Sequence, residues 1–143
     1  MTAIDASSQA LQVARANAAR AGLQRVSFLP SNWYEAVSEL RYNLLLANPP
    51  YIDGDDPHLA CGDVRFEPSS ALVSAHGGLA DLDLLVTGAP AHLLDGGWLL
   101  LEHGFAQADA VRGMLRNAGF RQVSTRRDLA GQERITGGCW HAD

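Results

Sequence analysis

The run Tyr42-Asn43-Leu44-Leu45-Leu46-Ala47, followed at once by Asn48-Pro49-Pro50-Tyr51, constrains the fold more than any other feature of this chain. A short, nearly continuous apolar run reads as a strand covered on both faces, as in a parallel sheet. The two prolines end it, because each fixes φ and removes a backbone donor. The chain must leave the strand extended and stiff. An apolar strand with a rigid exit suits an open α/β sheet, in which ligands sit at the C-terminal ends of strands.

The remaining pattern agrees, alternating short apolar runs with helical segments. A first strand over residues 2–4 ends at Asp5. The helix after it takes Ser7 or Ser8 as N-cap and stops at Gly22. Leu11, Ala14, Ala18 and Ala21 share its apolar face. A strand at 26–29 is closed by Pro30. Residues 52–78 form a long loop rich in Asp, Gly and Pro, a length that is usually functional. A helix over 79–94 is kinked or interrupted at Pro90. Asp95-Gly96-Gly97 turns the chain into a strand at 98–102, and a helix over 106–118 is stopped by Gly119. Strands at 120–126 and 134–140 close the chain as an antiparallel hairpin.

Composition removes several function classes. The chain has 143 residues, 47% of them hydrophobic, which is ordinary for a globular domain. Eleven Lys and Arg against sixteen Asp and Glu give a net charge of −5, without the basic stripe of a general nucleic-acid binder. No apolar run approaches the roughly 20 residues of a membrane span. The N-terminus has no signal-peptide core, and Cys61 and Cys139 read as free thiols of a cytoplasmic protein. His58 and Cys61 have two-ligand spacing but no second pair, so no metal is expected. Arg15, Arg20 and Arg25 read as a solvated helix face.

The candidate chemistry lies at the rigid exit. The Asn48 side chain and the Pro49 carbonyl would converge on one spot, with the Tyr51 ring beside it. Such a cradle suits a planar NH₂ group, because acceptors take its two N–H bonds and the ring covers its face. Orienting that nitrogen toward an electrophile is catalysis by positioning, with no titrating base. Glu102 and His103 end a strand at the same edge and read as a satisfied structural pair rather than an acid–base pair. Taken alone, Asp5 equally suits a helix start, and Trp33 a half-buried packing residue.

Asn-Pro-Pro-Tyr after a strand resembles the signature of methyltransferases that act on planar amino groups, either adenine N6 or a glutamine amide. Three further segments narrow the resemblance to the release-factor glutamine methyltransferases, the HemK/PrmC family. They are Gly62-Asp63-Val64-Arg65-Phe66-Glu67-Pro68-Ser69-Ser70-Ala71-Leu72 with Gly78-Leu79-Ala80-Asp81-Leu82, Gly97-Trp98-Leu99-Leu100-Leu101-Glu102-His103-Gly104, and Asp128-Leu129-Ala130-Gly131-Gln132-Glu133-Arg134. The resemblance implies a class I methyltransferase fold: a Rossmann-like three-layer α/β sandwich, mostly parallel, with a C-terminal antiparallel hairpin. It implies S-adenosylmethionine as cofactor and the Gly-Gly-Gln loop of a peptide chain release factor as substrate. Asp5 would hold the ribose hydroxyls and Trp33 would lie beside the adenine. Asn32 stands where the family usually has Asp, with less charge assistance toward the adenine amino group. Asn48, Pro49, Pro50 and Tyr51 would form the catalytic cradle, with Asn48 also on the cofactor side.

The family's Gly-rich cofactor turn, its first strand and its N-terminal helical domain have no counterpart in this chain. Residues 1–143 are therefore expected to be one N-terminally truncated catalytic domain. The implied strand order, 3-2-1-4-5-7-6, lacks its middle strand, which leaves two open edges. Edge pairing with a partner, including a homodimer, is the expected solution. The rival readings are an adenine-N6 methyltransferase on DNA or RNA and a non-catalytic remnant that binds a partner.

Overall fold

The computed structural model describes residues 1–60 and 62–142. The chain divides into two units, Met1–Leu40 and Arg41–Asp143. The first is a single β-α-β crossover. Strand β1 (Thr2–Asp5) lies parallel to β2 (Ser27–Pro30), with Asp5 opposite Pro30 at their C-terminal ends. Helix α1 (Ser8–Arg20) joins them. Ser7 is its N-cap, and the Ser7 hydroxyl accepts from the Ala10 N–H at 3.2 Å. Gly22 follows the helix with φ +70°, the left-handed conformation that glycine adopts without penalty. Leu11 is buried, and Ala14 and Ala18 are partly covered, but Ala21 is exposed. Arg15 is not simply solvated. Its guanidinium donates to the Phe28 carbonyl at 3.0 Å and lies over the Phe28 ring.

The second unit is built on a four-stranded sheet of order β3-β4-β6-β5. Strand β3 (Tyr42–Ala47) runs parallel to β4 (Leu93–Glu102), which pairs antiparallel with β6 (Glu133–Cys139). β6 also pairs antiparallel with β5 (Arg121–Arg127). A short helical turn, α2 (Ala75–Gly78), leads to α3 (Ala80–His92), and α4 (Ala108–Asn117) joins β4 to β5. The β1-β2 pair and the β3-β4-β6-β5 sheet correspond to the 2-3 and 4-5-7-6 parts of the implied order. No helix among the described residues is long and apolar enough to cross a membrane.

Two local expectations change. The helix runs through Pro90 without interruption. The Arg41 guanidinium donates to the carbonyls of Pro90 and Leu93 around its C-terminal end, where a cation is favoured. Asp95-Gly96-Gly97 does not precede β4 but lies within it as an irregularity. Tyr42 pairs with Leu93 and Leu44 with Trp98, so three extra residues are taken up on β4. Gly96 N–H donates to the Trp140 carbonyl and Trp140 N–H to the Gly97 carbonyl, so the bend stays hydrogen-bonded.

The core lies where α3 and α4 meet the sheet. Leu82, Leu99, Leu101, Val111 and Leu115 are fully buried. The opposite face is different. Leu44 is 47% and Leu46 67% exposed, so β3 is not covered on both faces as its composition suggested. Alternate strand residues point to opposite faces, so one face of β3 can be open while the other packs. Leu101 pairs with Ala47 on one side and Thr136 on the other. Leu101→Ala is expected to lower unfolding stability by about 2–5 kcal/mol. Urea denaturation measures this, and a loss under about 1 kcal/mol would contradict the packing described.

Candidate active site

The end of β3 is where the sheet gives out and side chains take over. Asn48 is exposed, Pro49 is buried, and Pro50 and Tyr51 are half-buried. A cavity of about 260 Å³ opens beside them, lined by Leu46, Ala47, Asn48, Leu100, Glu102 and Ile135. Asn48 thus stands at a partly apolar recess with one carboxylate in its wall.

Tyr51 is held from two sides. Its hydroxyl donates to Glu102 Oε1 at 3.3 Å. Burial, then the nearby Glu102 charge, pushes its pKa above the usual 10, so the phenol stays a donor. Its backbone carbonyl accepts from the Gln107 side-chain amide at 2.9 Å. The next residue, Ile52, bridges Val73 in parallel, with Ile52 N–H on the Leu72 carbonyl and Ser74 N–H on the Ile52 carbonyl. The long loop therefore returns to the site exit. Between these points it is built of short 3-10 turns at Pro57–Ala60, Val64–Phe66 and Ser69–Ala71.

The expected Glu102–His103 pair does not form. Neighbouring strand residues point to opposite faces, so the two side chains part. Glu102 turns to Tyr51, and His103 is fully buried. Burial lowers the His103 pKa below the ordinary 6.5, which keeps the ring neutral. A carbonyl only accepts, so Nδ1–H donates to the Gly104 carbonyl at 2.9 Å. Nε2 is then an acceptor and takes the Thr136 hydroxyl at 2.7 Å. Thr136 accepts from Thr125 at 2.8 Å, and Thr125 from Arg112 at 2.8 Å. The chain of donors runs one way, from Arg112 to the Gly104 carbonyl.

The expected cofactor residues lie in the first unit. Asp5 is exposed at the end of β1, and its Oδ1 accepts from Ser7 N–H at 2.7 Å. It helps start the helix without being its N-cap. Asn32 lines a cavity of about 480 Å³ with Ala6, Pro30, Ser31, Glu35 and Ala36. Its amide nitrogen donates to Glu35 Oε1 at 2.8 Å, which directs its oxygen elsewhere as an acceptor. Trp33 has φ +48°, a left-handed conformation costly for a bulky residue. The Ser31 hydroxyl donates to the Trp33 carbonyl at 2.8 Å and accepts from Ala36 N–H at 3.0 Å, which holds that conformation. His58 Nδ1 lies 2.7 Å from Asp56 Oδ1. Cys61, its suggested zinc partner, lies outside the described residues. The sequence passed over Gln107 altogether, because a polar residue just before a helix carries no distinctive signal.

Comparison with known proteins gives the pattern a context. Residues 1–80 match the family model described as methyltransferase small domain. A release factor glutamine methyltransferase from Bordetella pertussis is 53% identical over 139 residues, covering 96% of this chain and 51% of the relative. One from Pseudomonas aeruginosa is 50% identical over 140 residues, covering 98% of this chain and 51% of the relative. The chain spans about half the length of these curated relatives. A solved methyltransferase from Pyrococcus furiosus superposes with a TM-score of 0.71 at 16% identity, over 99% of this chain and 62% of that one. That likeness is one of fold.

The buried histidine makes stability depend on pH. Below about 6.5 the unfolded chain binds a proton that folded His103 does not, so stability falls as pH drops through that value. Arg112, Glu133 and Arg134 are the charged groups that act on the ring. The thermal midpoint should fall more steeply between pH 7 and pH 5 in the parent than in His103→Gln. Parallel profiles would contradict a histidine held neutral.

Proposed function

Since the chain belongs to the methyltransferase small-domain family, we propose that it carries the catalytic machinery for S-adenosylmethionine-dependent N5-methylation of a glutamine side chain. The substrate is the glutamine of the Gly-Gly-Gln loop in peptide chain release factors, and the place of action is the cytoplasm. Residues 1–143 are taken as one catalytic domain. The single observation that carries the reading is the rigid double-proline exit of β3, with Asn48 at the mouth of a recess and Tyr51 tied to Glu102. The names of relatives about 50% identical support the choice of substrate.

The residues of the first unit suit the nucleoside part of that cofactor. Asp5 keeps Oδ2 for ribose hydroxyls while Oδ1 takes Ser7 N–H. Asn32 offers its oxygen to the adenine amino group, and Trp33 offers an aromatic face. When bound, S-adenosylmethionine supplies a methyl group made electrophilic by a sulfonium. Asn48 and the Pro49 carbonyl would each accept an N–H of the substrate amide. That would fix the amide plane, so that the nitrogen lone pair, perpendicular to it, points toward the methyl. Pro50 keeps the backbone from relaxing, and Tyr51 packs against the amide plane. The N–CH₃ bond would form as the sulfonium S–CH₃ bond breaks, leaving a neutral thioether, and the nitrogen would release its proton to water, which needs no strong base in the wall.

In a full-length version, Asn48→Ala should slow transfer by at least about 100-fold, the scale of losing one oriented hydrogen-bond partner. Cofactor affinity by isothermal titration should change less than about threefold. An equal loss of both would assign Asn48 to cofactor binding instead. Assays with release factor and with DNA separate the amide reading from the adenine one, and transfer to DNA alone would overturn it. Sedimentation at high concentration tests the expected pairing of open sheet edges, which a strict monomer would refute.

A further inference from the structure

Gln107 is half-buried at the start of α4, and its side chain does not cap that helix. Its carboxamide instead reaches three backbone segments. Oε1 accepts from Gly104 N–H at 2.9 Å. Nε2 donates to the Tyr51 carbonyl at 2.9 Å and to the Gly77 carbonyl at 3.2 Å. One planar group thus joins the end of β4, the exit from β3 and the return of the long loop.

The surroundings are shaped to this contact. At Gly78, φ is +78°, and a Cβ would come within 2.1 Å of the Tyr51 carbonyl oxygen and 2.8 Å of Gln107 Nε2. At Gly104 a Cβ would come within 3.0 Å of Gln107 Oε1. The two glycines leave room that any other residue would fill. The Gly104 carbonyl is also engaged, by His103 Nδ1. That peptide segment is held on both its N–H and its C=O.

Only a carboxamide of this length meets all three demands. Glutamate would set a second oxygen against two carbonyls. Lysine or arginine would face the Gly104 N–H with donors alone. Asparagine is shorter by one carbon–carbon bond.

We propose that Gln107 is a positioning residue for the Asn48–Tyr51 cradle, acting through the Tyr51 carbonyl and coupling the loop of residues 52–78 to it. The inference rests on the reading of that cradle as the amide-holding site. Pro49 and Pro50 supply no N–H to pin the exit. The strand holds one end through Ala47, and Gln107 holds the other at Tyr51. Releasing it leaves the Tyr51–Ile52 peptide held on its N–H side alone, by the Leu72 carbonyl, so the plane that carries the Tyr51 ring loses one of its two ties. The three side-chain hydrogen bonds of Gln107 all run to residues of the second unit.

The test uses the full chain with Gln107→Met, close in shape but without donors or acceptor, and Gln107→Glu, which keeps only the acceptor. Hydrogen exchange at Gly104 N–H should speed up at least tenfold in Gln107→Met and stay near parental in Gln107→Glu. In both, kcat for methyl transfer to a Gly-Gly-Gln peptide should fall by about 10- to 100-fold, the cost of a small misplacement. The KM for S-adenosylmethionine should stay within twofold. Unchanged exchange at Gly104 in Gln107→Met overturns the clamp, whatever the activity. Changed exchange with parental kcat leaves the contact structural and overturns the positioning role. A kcat loss that matches the loss of folded protein does the same. Failure of a parent that binds S-adenosylmethionine by isothermal titration to methylate the peptide overturns the reading of the cradle, and the exchange arm still reports on the clamp.

Discussion

The candidate site hangs from the register of one strand pair. Ala47 lies beside Leu101, so Asn48 and Glu102 come level where β3 ends. A slip of one residue would send the apolar set of β3 to the wrong face and carry Asn48 away from the carboxylate. The register is held on both sides of β4, by Leu45 and Leu46 against Leu99 and Leu100, and by Gly137 and Gly138 of β6 across the same residues. Gly137 is confined by this packing, because a Cβ there would come within 2.7 Å of the Leu99 carbonyl oxygen, which is fixed in the ladder. Precise placement of a polar group at the rim depends on close packing two strands away.

Much of the fold was legible because its signals are local. Ser7 and Gly22 bound α1 through capping chemistry that depends on neighbours in sequence. Tyr42–Ala47 is the predicted strand to the residue, since the prolines after it leave no choice. The errors arose where distant partners decide. Pro90 stays inside a helix whose end Arg41 holds. Asp95-Gly96-Gly97 is a turn by composition but is absorbed into β4 because Trp140 meets its backbone groups. The open face of β3 could not be read from Leu44 and Leu46, because composition records apolarity and not what covers it.

The site divides along the same line. The Asn48–Tyr51 segment was visible because two prolines are a backbone statement in themselves. The partner of Tyr51 was not, because Glu102 lies 51 residues away and was expected to pair with its own neighbour. Gln107 was invisible for the same reason. Its contacts at separations of 3, 30 and 56 residues exist only after β3, β4 and the loop have converged. Residues 41–142 therefore show a site whose reactive groups are local in sequence and whose supports are not.

The bridge between Ile52 and Val73 has one more consequence. It closes the segment between them into a bight whose two ends leave the site side by side. The entropy of closing such a loop grows only slowly with its length. Residues can thus be added or exchanged between the ends at little thermodynamic expense, with Ile52 and Val73 still in place. The bight is a natural graft point, where the choice of what approaches the cradle can be rewritten without redrawing the cradle.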